Sequence, residues 1–239
     1  GAGELDASFD VDGKQELLIG TDSVANGVAI QADQSIVVAG SASNGTDRDI
    51  ALARYTSGGQ LDLTFGVGGI VTTPVLTGDD VANAVIVQPD GAIVVAGQAD
   101  MGGQSDFALA RYLPSGALDL TFGAGTGVVT TPIGSSNDGA TALVRQPDGK
   151  LVAAGYFRSP FDNDFALIRY TASGALDTSF GTGGKVGIDV GGTTDDSATA
   201  VALQADGRIV VAGYAATPSA GNDFALLRFT ANGVLDASF

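Results

Sequence analysis

Hydrophobic and polar positions in this chain alternate over short runs, and the runs come back. Val81 to Gln88 is rich in Val and Ile, which reads as a strand. Matching runs span Val24 to Gln31, Gly139 to Gln146 and Ser197 to Gln204. Three of the four lead into Asp-Gly, at Asp90-Gly91, Asp148-Gly149 and Asp206-Gly207. Asp-Gly between apolar runs signals a hairpin, because glycine supplies the positive φ that the turn needs. The first run meets Asp33-Gln34-Ser35 instead, which predicts a different or strained turn.

A second run is unbroken and apolar: Ile36 to Gly40, Ile93 to Gly97, Leu151 to Gly155 and Ile209 to Gly213. Both of its faces are expected to be buried. After a variable loop comes Asp-Phe-Ala-Leu-x-Arg-Tyr, complete at Asp106 to Tyr112 and Asp164 to Tyr170. Period two puts Phe107, Leu109 and Arg111 on one side and Ala108, Ala110 and Tyr112 on the other. Leu-Asp-x-Ser/Thr-Phe then occurs five times, from Leu5, Leu61, Leu118, Leu176 and Leu235, at spacings of 56, 57, 58 and 59 residues. It is expected to be the fourth strand, and the glycine-rich segments Gly66 to Gly69, Gly123 to Gly127 and Gly181 to Gly184 are expected to cross to the next unit.

The motif divides the chain into units of about 5–60, 61–117, 118–175 and 176–234, with a terminal copy at 235–239, all within one repeat domain. A unit this short cannot bury its own apolar face, so it stacks on its neighbours. The expected fold is all-β, a β-propeller of four four-stranded antiparallel blades. The alternative is that these blades form part of a larger propeller ring. A parallel β-helix is the other rival, but its rungs are shorter and lack Asp-Gly hairpins.

The segment Asn163 to Gly184, Asn-Asp-Phe-Ala-Leu-x-Arg-Tyr-x-x-x-Gly-x-Leu-Asp-x-Ser-Phe-Gly-x-Gly-Gly, resembles the delta-60 repeat family of bacterial tandem-repeat proteins. The resemblance covers essentially the whole chain. It implies a propeller and a place in large surface or secreted proteins with no common assigned activity. Unit one departs from the pattern, with Asp10-Val-Asp-Gly13 in place of Gly-x-Gly-Gly.

The 239 residues carry a formal charge of -16, with 11 basic and 27 acidic side chains. Clustered Lys and Arg are what a phosphate backbone demands, so nucleic acid and anionic membranes are not expected partners. No apolar run is long enough for membrane insertion. Only Glu4 and Glu16 among the acids are Glu, and the dominance of Asp fits turn chemistry. The Asp-rich, Lys-poor composition leans towards an extracellular or cell-surface location. The chain starts and stops at one phase of the repeat, which suggests a processed form or a segment of a longer array.

His and Cys are absent, which removes imidazole bases, thiolate nucleophiles and the usual transition-metal ligands. Paired acids remain: Asp79-Asp80 and Asp195-Asp196, with Asn137-Asp138 and Asp22-Ser23 in the matching places. Read plainly they are solvated turn residues. Converging at one end of a ring, Asp79, Asp80, Asp138, Asp195 and Asp196 would suit Ca²⁺, a hard cation that takes oxygen ligands, or would bind sugar hydroxyls. No other cofactor is expected. Arg54, Arg111, Arg169 and Arg228 share one strand position, and a buried guanidinium needs a carboxylate. The Leu-Asp residues Asp62, Asp119, Asp177 and Asp236 are the expected structural partners. In unit three the variable loop reads Tyr156-Phe-Arg-Ser-Pro-Phe161. It makes Tyr156, Phe157, Arg158 and Phe161 a candidate binding patch, whose rival is local loop packing.

These observations point to a module for binding or structural display, without catalysis, with a protein or glycan ligand. The alternative is a carbohydrate-active enzyme or lectin using loop Asp residues. A homodimer or continuation into further blades would complete the ring.

Overall fold

The computed structural model describes residues 3–217 and 221–239. It contains four antiparallel sheets and no α-helix among those residues. The first sheet is β1 (Ser23–Ile30), β2 (Ile36–Ser43), β3 (Arg48–Tyr55) and β4 (Ile70–Thr73). The second is β5 (Asp80–Val87), β6 (Ile93–Asp100), β7 (Ser105–Tyr112) and β8 (Val128–Thr131). The third is β9 (Asp138–Arg145), β10 (Leu151–Arg158), β11 (Asn163–Tyr170) and β12 (Lys185–Ile188). The fourth has three strands, β13 (Asp196–Leu203), β14 (Ile209–Thr217) and β15 (Gly221–Phe229). Within each sheet the strands pair in chain order, so each is an up-and-down meander, a propeller blade.

The hydrophobic core lies between blades rather than within them. Alternate residues of β6 show why both faces had to be apolar. Ile93 and Val95 join the cluster against the first blade, while Val94 and Ala96 join the one against the third. Phe107 and Leu109 likewise face the third blade, and Ala110 and Tyr112 face the first. The glycine in the middle of each second strand faces a bulge in the first. A Cβ on Gly97 would sit 1.9 Å from the Val81 carbonyl oxygen, and the same clash meets Gly40, Gly155 and Gly213.

Two expectations about strand order need correcting. Leu-Asp-x-Ser/Thr-Phe is not the fourth strand; Leu118 makes a single bridge to Tyr112, after which the chain turns. The glycine-rich segment does not cross between blades either. Glycines at positive φ, such as Gly66 (54°) and Gly69 (95°), fold the chain back so that β4, β8 and β12 form the outer edge. The crossing is the short segment after them, and the blades are offset from the motif-defined units.

The inner strands β1, β5, β9 and β13 pack side by side in that order, but β13 and β1 do not pack on each other in the same way. The four blades therefore form an arc with two end faces.

Candidate functional site

Each arginine of the repeat meets the Leu-Asp carboxylate eight residues further along the chain. Nε of Arg54, Arg111 and Arg228 donates to Asp62, Asp119 and Asp236 at 2.8 Å, and Arg169 to Asp177 at 2.9 Å. The planar head also lies 4.6 to 4.8 Å from the ring centre of the motif's Phe65, Phe122, Phe180 or Phe239. In the first three units Nη1 goes on to a carbonyl of the next blade, Pro114, Ala172 or Ala231. One guanidinium thus ties a turn, a strand and a neighbouring sheet through separate donors, which a Lys point charge cannot do. The Ser179 hydroxyl, with Arg169 and Lys150 adding to it, holds Asp177 at about 2. Three of these four pairs join blades through those carbonyls, and the Arg228–Asp236 pair stays within the last one.

The paired acids do a different job in each half of the pair. Asp80, Asp138 and Asp196 are fully buried. Their Oδ2 atoms accept two backbone N–H groups from the crossing segment: Val75 and Leu76, Ile133 and Gly134, Val190 and Gly191. Asp79 and Asp195 instead accept the N–H that opens the third strand of the preceding blade, from Arg48 and Asn163 at 2.9 Å. Asn137 serves Ser105 in the same way. These acids are spread one pair per junction.

A carboxylate does gather neighbours at each junction, from a position that the pairs did not reveal. Asp164, 5% exposed at the start of β11, faces Asp196 across the junction of blades three and four. Asp106 and Asp49 occupy the corresponding places, and charge from Asp138 and Asp49 acts on Asp106 and Asp80 respectively. Only the third junction adds Asp189, which stands where Pro74 and Pro132 stand in the earlier blades. One carboxylate oxygen from each of Asp164, Asp189 and Asp196 lies within 4.8 Å of the others, the one such trio among the described residues. Burial first, then the charges of Asp162 and Asp189, push the Asp164 carboxyl up to about 6. Its Oδ1 is buried without a hydrogen-bond partner. Asp189 is exposed, so the trio opens to solvent on one side.

The unit-three segment sits over this junction: Tyr156, Phe157 and Arg158 belong to strand β10 rather than to the expected loop, and β10–β11 pairing sets Phe157 opposite Asp164. Of its four candidate residues, Tyr156 is partly buried and bonds Gln98 of the second blade at 3.2 Å. Phe157 is partly buried beside Gly187. Arg158 and Phe161 remain exposed, Phe161 at 78%. The next residue, Asp162, is buried and held by the Ser159 hydroxyl at 2.7 Å.

A family model described as "Domain of unknown function (DUF5122) beta-propeller" matches residues 31–65, 88–122, 146–180 and 204–239. The chain belongs to this family. Each matched segment of DUF5122 runs from the end of a first strand to the Leu-Asp motif, so the family is defined by the hairpin and arginine module described above. No curated protein sequence matches the chain.

Solved structures share the propeller shape at low identity. A protein of unknown function from Dyadobacter fermentans is 18% identical with a TM-score of 0.55, over 85% of this chain and 52% of its own. A gluconolactonase from Xanthomonas campestris is 17% identical with a TM-score of 0.47, over 94% and 64%. An aldose sugar dehydrogenase from Streptomyces coelicolor is 16% identical with a TM-score of 0.49, over 92% and 66%. The DUF5122 chain thus spans about half to two thirds of the length of these proteins, and at such identities the likeness is one of fold. The expectation of a chain without catalysis is nonetheless corrected by them. Two of these solved structures are named as enzymes. No helix among the described residues is long and apolar enough to cross a membrane.

Proposed function

We propose that this propeller is carbohydrate-directed, a lectin or carbohydrate-active enzyme that engages sugar hydroxyls at the junction of blades three and four. The observation that carries the reading is asymmetry: among the described residues one junction adds a third carboxylate, where the backbone contacts of the buried acids Asp80, Asp138 and Asp196 repeat. A carboxyl that stays protonated to about pH 6 donates a hydrogen bond or a proton. The exposed Asp189 beside it accepts one, and glycosidic-bond chemistry asks both tasks of an acid pair. Phe161 offers an exposed ring, a flat apolar face for the C–H side of a pyranose. The charge of -16 disfavours polyanionic polysaccharides and directs the proposal to neutral or cationic glycans. An extracellular setting belongs to the same proposal, supported by the Asp-rich, Lys-poor composition.

A glycan array followed by reducing-sugar assays on neutral polysaccharides tests this. Binding or release should fall about tenfold or more in Asp189→Asn and in Phe161→Ala at unchanged melting temperature. Full retention in both variants rejects the site, and silence across the array rejects the ligand class.

The unpartnered Oδ1 of Asp164 favours a second reading of the same trio, a Ca²⁺ ion held by Asp164, Asp189 and Asp196. Millimolar Ca²⁺ should then raise the melting temperature of the wild type and not of Asp189→Asn. An unchanged wild-type value disposes of the ion.

A further inference from the structure

The two ends of the arc carry the two halves of a junction that the chain builds three times internally. Towards the fourth blade the third presents Val152, Ala154, Phe165, Leu167 and Phe180, each fully buried. The same repeat positions in the fourth blade hold Val210, Ala212, Phe224, Leu226 and Phe239. There Phe224 is fully exposed, and Leu226 and Phe239 are 56% and 57% exposed. At the other end, the first blade turns outward the residues with which the second blade meets it. Val28 is 63% exposed, and Ile36, Val38 and Tyr55 line a cavity of about 450 Å³ beneath Gln15–Leu17 and Ile19.

The polar anchors are unfinished at the same ends. Arg228 bonds Asp236 and Ser238, yet among the described residues its Nη1 finds no carbonyl of a following blade. The bulged residues Asn26, Asn83 and Thr141 reach the carbonyls of Ala82, Ala140 and Ala198 in the next blade. Thr199, their counterpart, only turns back to Ala212 at 3.4 Å. Among the described residues no fourth strand pairs with the outer edge of β15. Conversely, Lys14–Leu17 follow Gly13 as β4 follows Gly69 and β12 follows Gly184, but they belong to no sheet. They are already seated on the first blade as the tail of a preceding one. Asp10 N donates to Gly58 O at 2.9 Å, as Gly66 does to Ser115 at 2.8 Å and Gly181 to Asn232 at 2.9 Å.

The geometry points to a head-to-tail pairing of two copies of this chain in one eight-bladed ring. At each of two seams the fourth blade of one copy seats on the first blade of the other. Lys14–Leu17 of the second copy then pairs with β15 as its missing strand. Arg228 Nη1 meets the carbonyl of Ser57 in the second copy, and Thr199 that of Ala25, the positions their counterparts reach internally. The contact is heterologous, and two repeats of it close under a two-fold axis. Eight blades lie within the range that propellers adopt. Each seam brings residues 5–9 and 235–239 to the same place. Asp236 holds Arg228 at 2.8 Å, whereas the carboxylate of Asp6 bonds only Ser8 among the described residues, so residues 5–9 give way.

Light scattering on the 239-residue chain from about 1 to 100 µM reads the assembly directly. The expected mass is twice that of one chain. The double variant Phe224→Asp/Leu226→Asp changes only exposed side chains, and it should run as a monomer with a wild-type circular dichroism spectrum. A monomeric wild type, or a variant that still pairs, overturns the proposal. Because the chain has no cysteine, Gln15→Cys combined with Leu226→Cys places one thiol on each side of the seam. Oxidation should link chains in pairs. A bond within one chain would show closure by its own first segment, and a ladder of higher masses would show an open filament; either result overturns the two-copy ring.

Discussion

Asp164 is where burial and like charge act together on one side chain. Its folded-state carboxyl titrates near 6, above the roughly 4 of an unfolded Asp. Protonation therefore favours the fold. The contribution is complete below about pH 4 and is lost as pH rises through about 6. Asp164→Asn, neutral throughout, should be more stable than the wild type by about 2 kcal/mol at pH 8 and equal to it at pH 4, read from paired melting curves. Asp177 and Asp236 act in the opposite sense. The Ser179 and Ser238 hydroxyls, with the arginines, hold them at about 2. Their stabilisation is present above about pH 4 and disappears as pH falls towards 2. The arginine partners were legible in the sequence because both charges repeat in phase. The Asp189 contribution was not: it replaces Pro74 and Pro132, outside every shared motif, and only the fold brings it to Asp164.

Strands and turns divide along a similar line. The hairpins β5–β6, β9–β10 and β13–β14 were legible from Asp-Gly and from β-branched runs, since local conformation and burial agree there. Leu-Asp-Leu-Thr-Phe misled because its alternation has the period of a strand. Asp119 breaks that reading by accepting the N–H and hydroxyl of Thr121 at 2.9 and 2.7 Å, an Asx turn that bends the chain. The hairpin between β1 and β2 shows what the turn glycine is for. Gln34 adopts φ 70°, against 82°, 91° and 85° for Gly91, Gly149 and Gly207. A side chain in that region costs about 1 kcal/mol, so Gln34→Gly should raise the melting temperature by a few degrees. An unchanged or lowered value would show that the turn bears no such strain.

At the scale of the whole molecule, the main packing of each blade among the described residues is on its sequence neighbours, so stability is a chain of pairwise junctions. The inner two blades are held on both faces and the outer two on one. Amide exchange on the monomeric Phe224→Asp/Leu226→Asp variant should be slowest in β5 to β12 and faster in β1 to β4 and β13 to β15. Uniform protection across all four sheets would mean that the arc opens as one cooperative unit.

The interblade anchors have one property in common. Arg54, Arg111, Arg169, Asn26, Asn83 and Thr141 all reach main-chain carbonyls of the following blade. A carbonyl is supplied by any residue, so a blade does not need to know its neighbour's side chains at these points. Duplication or loss of a whole blade leaves every such anchor with an acceptor. The loops, and with them Asp189 and Phe161, are free to drift in sequence while the number of blades grows or shrinks by recombination.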